Sequence, residues 1–168
     1  MTTKQIEVER FSVVSSKPFE KIIAAIDAAI GHPDMQAFRS KIRAARSFAA
    51  VEVVVRDAVG PSGFMEFIRF DLGEIMQKDR GEQAAPRSVR IVIGNPLIMK
   101  QMVEHVPDAG SYAPVTILID ERTDGVHLSY DRMASFLGTY GSPGAWKVAR
   151  ELDTKVEALL TAAANRAR

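Results

Sequence analysis

The sequence predicts a single α+β domain, on three observations. Runs such as Phe64–Phe70, Ser88–Ile93 and Val115–Tyr130 have the composition and alternation of half-buried strands. Between and after them lie segments with apolar residues at spacings of three and four, the signature of helices that bury one face. The two kinds are interspersed in the order strand, helix, strand, strand, helix, hairpin, long helix. A length of 168 residues fits one domain, taken as 1–168. A chain of this size buries roughly 70% of the surface its unfolded form exposes, enough for a core without metal or disulfide staples.

The first strand lies in "KQIEVERFSVVSS". Ile6 and Val8 alternate with Glu7 and Glu9 before the phase shifts to Phe11 and Val13, which predicts a bulge near Arg10. The first helix follows, with Ser16 or Lys17 as cap, Pro18 in its first turn, and Phe19, Ile22, Ile23, Ile26 and Ile30 on one face. Gly31, as a glycine just past the helix end, and Pro33 stop it. Asp34 caps a second helix whose face is Met35, Phe38 and Ile42. In "SFAAVEVVVRDAVGP" the valines have strand propensity. Yet Val51, Val54, Val55 and Ala58 keep helical spacing between a Ser47 cap and the Gly60-Pro61 stop, and the longer periodicity predicts a helix.

Phe64–Phe70 reads as the second strand, "DLGEIMQKDRG" as a short helix ending at Gly81, and "RSVRIVIG" as a strand with Val89, Ile91 and Ile93 on one face. After the Gly94-Asn95-Pro96 join comes a helix striped with Leu97, Ile98, Met102 and Val106, which suits core or a dimer surface. A loop from Pro107 to Pro114 leads to a hairpin turned at Asp124-Gly125. Ser142 and Pro143 open a long C-terminal helix with Ala149, Leu152, Val156, Leu159 and Ala163 on its apolar face.

Composition excludes several kinds of chemistry. With 22 basic against 21 acidic side chains, no field exists to gather phosphate backbones, and nucleic acid is not expected as a partner. The absence of cysteine removes disulfides, thiolate metal sites, cysteine nucleophiles and thiol redox switching. The charged start "MTTKQIEVER" is no secretory signal, and no apolar run approaches the ~18–20 residues that span a bilayer. A soluble, cytoplasmic protein without a membrane partner is expected.

A strand ending at a helix N-terminus presents free N–H groups that can hold an anion. At Gly94-Asn95-Pro96, however, the proline removes one donor and Asn95, as N-cap, satisfies another. One glycine is not a phosphate cradle, so the join reads as a structural cap. None of His32, His105 and His127 has metal-ligand spacing, and no metal site is expected. His32 reads as an exposed turn residue, and His127 as the cross-strand partner of Arg122. His105 is the best candidate for proton transfer near neutrality.

Asp108, Ser111 and Tyr112 follow His105 closely, but no Gly-x-Ser-x-Gly elbow surrounds the serine. A pocket rim with Tyr112 as an amphipathic wall is the better reading. By period two, Glu66 and Arg69 fall on opposite faces of their strand, with Glu66 on the more apolar one beside Phe64, Ile68 and Phe70. "DERTDG" lacks the alternating oxygen ligands of a calcium loop and reads as a turn.

"SSKPFEKIIAAIDAAIG", "IVIGNP", "APVTILIDERTDGVHLSY" and the terminal helix together resemble the domain-of-unknown-function 302 family, a bacterial and archaeal group whose fold is similar to the TATA-binding-protein-like domains. The resemblance implies a two-layer architecture: a curved, mostly antiparallel sheet packed on the long C-terminal helix, often in a homodimer. Residues 33–62 then look like a helical insertion after the first helix. Relatives often carry cysteines at places that fall here on Gly94 and Val115, so any thiol chemistry they perform is closed to this chain.

Three functions follow as expectations. The first is non-catalytic binding of a small apolar or amphipathic molecule in a cavity between sheet and helix, with phenylalanine and methionine as adaptable lining. The second is acid–base catalysis by His105 or Glu66, with Tyr112 or Asn95 orienting substrate. The third is an interaction role, a homodimer seamed on the Met-rich helix or on the Ala/Leu face of the last one. The first is preferred, in a homodimer, with Glu66, Arg69, Asn95, His105 and Tyr112 as ligand-binding residues and no cofactor.

Overall fold

The computed structural model describes residue 1 and residues 3–80 and 85–165. Five strands, β1 (Arg10–Ser15), β2 (Met65–Asp71), β3 (Ser88–Gly94), β4 (Val115–Arg122) and β5 (Gly125–Asp131), form one open sheet in the order β1-β5-β4-β3-β2. Every pairing is antiparallel. The helices are α1 (Phe19–Ala29), α2 (Met35–Ala44), α3 (Phe48–Ala58), α4 (Leu72–Arg80), α5 (Pro96–His105), α6 (Met133–Gly138) and α7 (Pro143–Ala164), with a 3-10 turn at Pro107–Ser111. The expected α+β class and the packing of the sheet on the C-terminal helix are both present. The expected end of α4 at Gly81 lies outside the described residues, as do the last three residues of the terminal segment. Among the described residues no helix is long and apolar enough to cross a membrane.

Alternation along the strands decides which sheet face is buried. Val89, Ile91 and Ile93 of β3, Val115, Ile117 and Ile119 of β4, and Val126, Leu128 and Tyr130 of β5 point into one core. From the other side α1 supplies Phe19, Ile22 and Ile26, and α7 supplies Ala149, Leu152, Val156, Leu159 and Ala163, the faces expected from their spacing. A second, smaller core joins Phe38, Val55, Ala58 and Met65 under α2 and α3. Ser47 does cap α3, accepting from the Ala50 N–H at 3.2 Å. Helical periodicity thus overrides the strand propensity of the valines there.

Several local readings are corrected. β1 begins at Arg10 and pairs with β5 without a break through Ser15, so no bulge occurs there; Ile6 and Val8 precede the strand. The bulge is in β2, between Glu66 and Ile68. Neither Ser16 nor Lys17 caps α1: Pro18 takes the cap position without a side-chain bond. The Lys17 Nζ instead donates to the Ala163 carbonyl at 2.9 Å, and the Ser15 hydroxyl to that of Ala164 at 2.7 Å, fastening the end of α7. The hairpin pairs Arg122 with Gly125, so its two turn residues are Thr123 and Asp124. His127 therefore faces Asp120 across the strands and bonds to Asp124 at 2.8 Å.

Gly31 also has a role other than the expected one. Its φ is not positive. It pairs with Met65 in a parallel bridge, its N–H donating to the Phe64 carbonyl at 2.8 Å and its carbonyl accepting from the Glu66 N–H at 2.8 Å. A Cβ here would run into the Ala58 carbonyl, and one on Gly60 would run into the backbone of Ile30 and Gly31. The two glycines let the end of α1 and the end of α3 cross at backbone contact. That crossing sets His32 beside the start of β2.

One buried charge holds the far end of the domain together. Asp153 on α7 is 4% exposed. Its Oδ1 accepts from the Tyr130 hydroxyl and from the Met133 N–H, both at 2.7 Å, and its Oδ2 accepts from the Ala134 N–H at 3.1 Å. Arg132, at the cap position of α6, makes no side-chain cap bond, so Asp153 satisfies these helix-terminal donors from another helix. Burial raises the Asp153 carboxyl above its usual range, opposed by these hydrogen bonds, and burial raises the Tyr130 hydroxyl likewise. Asp153→Ala leaves the Tyr130 hydroxyl and the Ala134 N–H without their acceptor, and the Met133 N–H with only the Tyr130 oxygen at 3.1 Å. It is expected to cost about 2–4 kcal/mol in urea unfolding, whereas a change below about 0.5 kcal/mol would show that the carboxylate is dispensable.

Candidate functional site

Because the helical core covers one face of the sheet, the opposite face carries the remaining alternate residues. Arg90 and Val92 of β3, Thr116 and Leu118 of β4, and Ser129 and Asp131 of β5 share it by register. A cleft of about 650 Å³ opens on this face. Leu72, at the start of α4, borders it, as do Tyr112 and Phe136 of α6, while the Met133 side chain is buried in the core. Tyr112 stacks on Phe136 with ring centroids 4.7 Å apart, and its hydroxyl lies 2.9 Å from that of Tyr140. The bond to Tyr112, then shielding from water and the nearby Asp108, raise the Tyr140 hydroxyl above its ordinary value.

The charges in the cleft differ in their freedom. Arg10 is held by Asp131 through two bonds of 2.6 and 2.9 Å. Arg90 is exposed, reaches the Thr116 hydroxyl at 3.5 Å and lies 5.8 Å over the Phe70 ring. Among the described residues no carboxylate pairs with it. The cleft therefore combines apolar walls with a cation that has no paired carboxylate among the described residues.

Glu66 and Arg69 are together but elsewhere. The β2 bulge pairs Glu66 with Ile93 and Arg69 with Ile91, placing both on the same face instead of opposite ones. Arg69 Nη2 donates to Glu66 Oε2 at 2.6 Å and also to Asp27 Oδ1 on α1. Partial burial pulls the Arg69 guanidinium down, but its bonds to Asp27 and Glu66 outweigh that and hold it above its ordinary value. His32 completes the group, with Nδ1 3.5 Å from Glu66 Oε2.

The remaining expected residues are dispersed. Asn95 caps α5, accepting from the Leu97 N–H at 2.9 Å and donating to the Gly63 carbonyl at 3.0 Å, so both ends of its amide are used within the fold. It borders a smaller apolar cavity of about 100 Å³ between α5, the β3–β4 end and Leu152, alongside Phe67 and Met99. Gly94 and Val115, where the family resemblance places cysteines, line this cavity too. His105 is exposed and packs against Gly144 of α7, where an added Cβ would meet its ring at 2.7 Å. Among the described residues no hydrogen bond joins it to Asp108, Ser111 or Tyr112. The five expected residues thus fall into separate places: Tyr112 in the cleft, Glu66 with Arg69, Asn95 at the small cavity, and His105 on the surface.

Asp27, His32, Arg90 and Thr116 were not among the expected site residues. Arg90 had a legible signal, as the one charge inside an apolar strand. Asp27 and His32 had none, because they meet Glu66 and Arg69 only after the chain crosses itself at Gly31.

The fold and cleft define a two-layer α+β domain with one sheet face uncovered. The family model described as "Domain of unknown function DUF302" matches residues 39–163, and the chain belongs to that family. The model begins inside the segment expected to be an insertion. The chain is also similar in structure to an uncharacterized conserved DUF302 protein from Bacillus stearothermophilus, with a TM-score of 0.63 and 12% sequence identity over 92% of this chain and 97% of that one. At that identity the likeness shows a shared fold. No curated protein matches the chain.

Proposed function

We propose that the protein binds a small amphipathic molecule with an anionic end in the cleft on the uncovered sheet face, without chemistry of its own. The observation that carries this reading is the cleft itself. Its volume of about 650 Å³ falls within the roughly 300–1,000 Å³ of ordinary small-ligand sites. Val92, Leu118 and Phe136 offer apolar contact, while Arg90 offers a charge-assisted donor to a carboxylate, sulfonate or phosphate. The smaller cavity beside Asn95 suits only a few atoms.

The arrangement supports binding over acid–base catalysis. His105 and Glu66 do not line the cleft, and the acid that does, Asp131, is occupied by Arg10. A homodimer is part of the reading, but with a different seam from either expected face. The Ala/Leu face of α7 is consumed by the core, as is Met102 of α5. Ile68 and Phe70 on β2 and Ile75 on α4 stay exposed, Ile75 to 70%, and we place the seam there. Light scattering at micromolar concentration should give a dimer mass, and a monomer mass would remove the homodimer.

Decanoate is a suitable probe for the cleft. Titration calorimetry should show saturable binding of one equivalent per chain, weakened about tenfold or more in Arg90→Glu by loss of a charge-assisted bond. Binding that is absent, or indifferent to Arg90→Glu, would overturn the reading.

A further inference from the structure

We propose that Asp27, His32 and Glu66 form a binding site for a divalent transition-metal ion of the zinc class. One ligand atom from each lies within 4.8 Å of the others. The residues come from the last turn of α1, the segment just after it, and β2, and none of them lines the cleft.

The orientation of the histidine is the main argument. His32 Nε2 lies 3.1 Å from the Asp27 backbone carbonyl, which can only accept, so Nε2 carries the hydrogen. The other ring nitrogen, Nδ1, is left for a second partner and lies 3.5 Å from Glu66 Oε2. That spacing is one a bridging metal ion can occupy. Zinc takes imidazole nitrogen and carboxylate oxygen at about 2.0–2.2 Å, so two such ligands at a tetrahedral angle stand about 3.4 Å apart. A ring nitrogen whose partner is bonded to a carbonyl is also the usual outer arrangement of a metal-ligating histidine.

Charge and rigidity point the same way. Two carboxylates and the Arg69 guanidinium leave one negative charge in excess at the cluster. Arg69 acts as a positioning residue: its Nη2 donates to both carboxylates, on Glu66 to the same Oε2 that His32 Nδ1 approaches. The Gly31–Met65 bridge fixes the backbone on both sides, since His32 follows Gly31 and Glu66 follows Met65. The ligands are thus brought together by the fold before any ion arrives, which lowers the ordering cost of binding. Imidazole with two carboxylates favours zinc or a neighbouring transition metal over calcium or magnesium, which prefer oxygen alone.

The test is calorimetric titration of the full chain, without a histidine tag, with zinc chloride. The chain has only three histidines and no cysteine, so background binding is low. The expected result is one equivalent bound with micromolar affinity, at least tenfold weaker in His32→Ala and in Asp27→Asn and unchanged in His105→Ala. Magnesium at the same concentration should not compete. The proposal is overturned if no zinc binds up to about 1 mM, or if binding follows His105 or His127 instead of His32.

Discussion

A single buried carboxylate connects the core of this protein to its open face. Asp153 reaches from the middle of α7 to the end of β5 and the start of α6, with two oxygens serving three donors. Taking a charge out of water costs several kcal/mol, and hydrogen bonds that satisfy it offset that cost. Replacing it by an apolar residue would leave the Ala134 N–H of the short α6 and the Tyr130 hydroxyl without an acceptor. The consequence is positional. Held in this way, α6 keeps Met133 in the core and sets Phe136 at the border of the cleft, stacked on Tyr112.

The second constraint is that the helical core buries only one side of the sheet. An antiparallel sheet tolerates this when its other face is polar enough to meet water. Here that face is mixed. Arg10 with Asp131 and Arg122 with Asp120 are surface ion pairs that contribute little beyond solubility. Beside them on β4 and β3 lie Leu118, Val92 and Arg90, bordered by Tyr112 on Phe136. A face with apolar surface and a cation that no carboxylate pairs with among the described residues is suited to a molecule that is apolar at one end and anionic at the other. The Asp27–His32–Glu66 cluster stands apart, at the crossing of α1, α3 and β2, and shares no residue with the cleft.

How much of this was legible in the sequence varies by element, for physical reasons. The buried faces of α1 and α7 could be read because each is long enough for a period of three and four to repeat. The helix at α3 was legible for the same reason, despite its valines. The β2 bulge was not: "FMEFIRF" is apolar at both parities, so nothing local says where the alternation slips, and one slip moves Arg69 to the face of Glu66. Nor was α6, six residues long and capped by a side chain twenty positions away. Gly31 was read as a helix stop, yet its lack of a side chain serves a crossing with Ala58 and Gly60. Among the site residues Tyr112 was visible as a pocket wall, whereas the meeting of Asp27 and His32 with Glu66 depends on contacts far apart along the chain.

The central claim is that the uncovered sheet face is where this protein meets a small molecule. An amide chemical-shift map of the labelled chain titrated with decanoate tests it most directly. The account predicts saturable shifts concentrated at Arg90, Val92, Thr116, Leu118, Ser129 and Phe136. Shifts confined to α5 and the small cavity at Asn95 and Met99, or scattered over the surface without saturation, would contradict it.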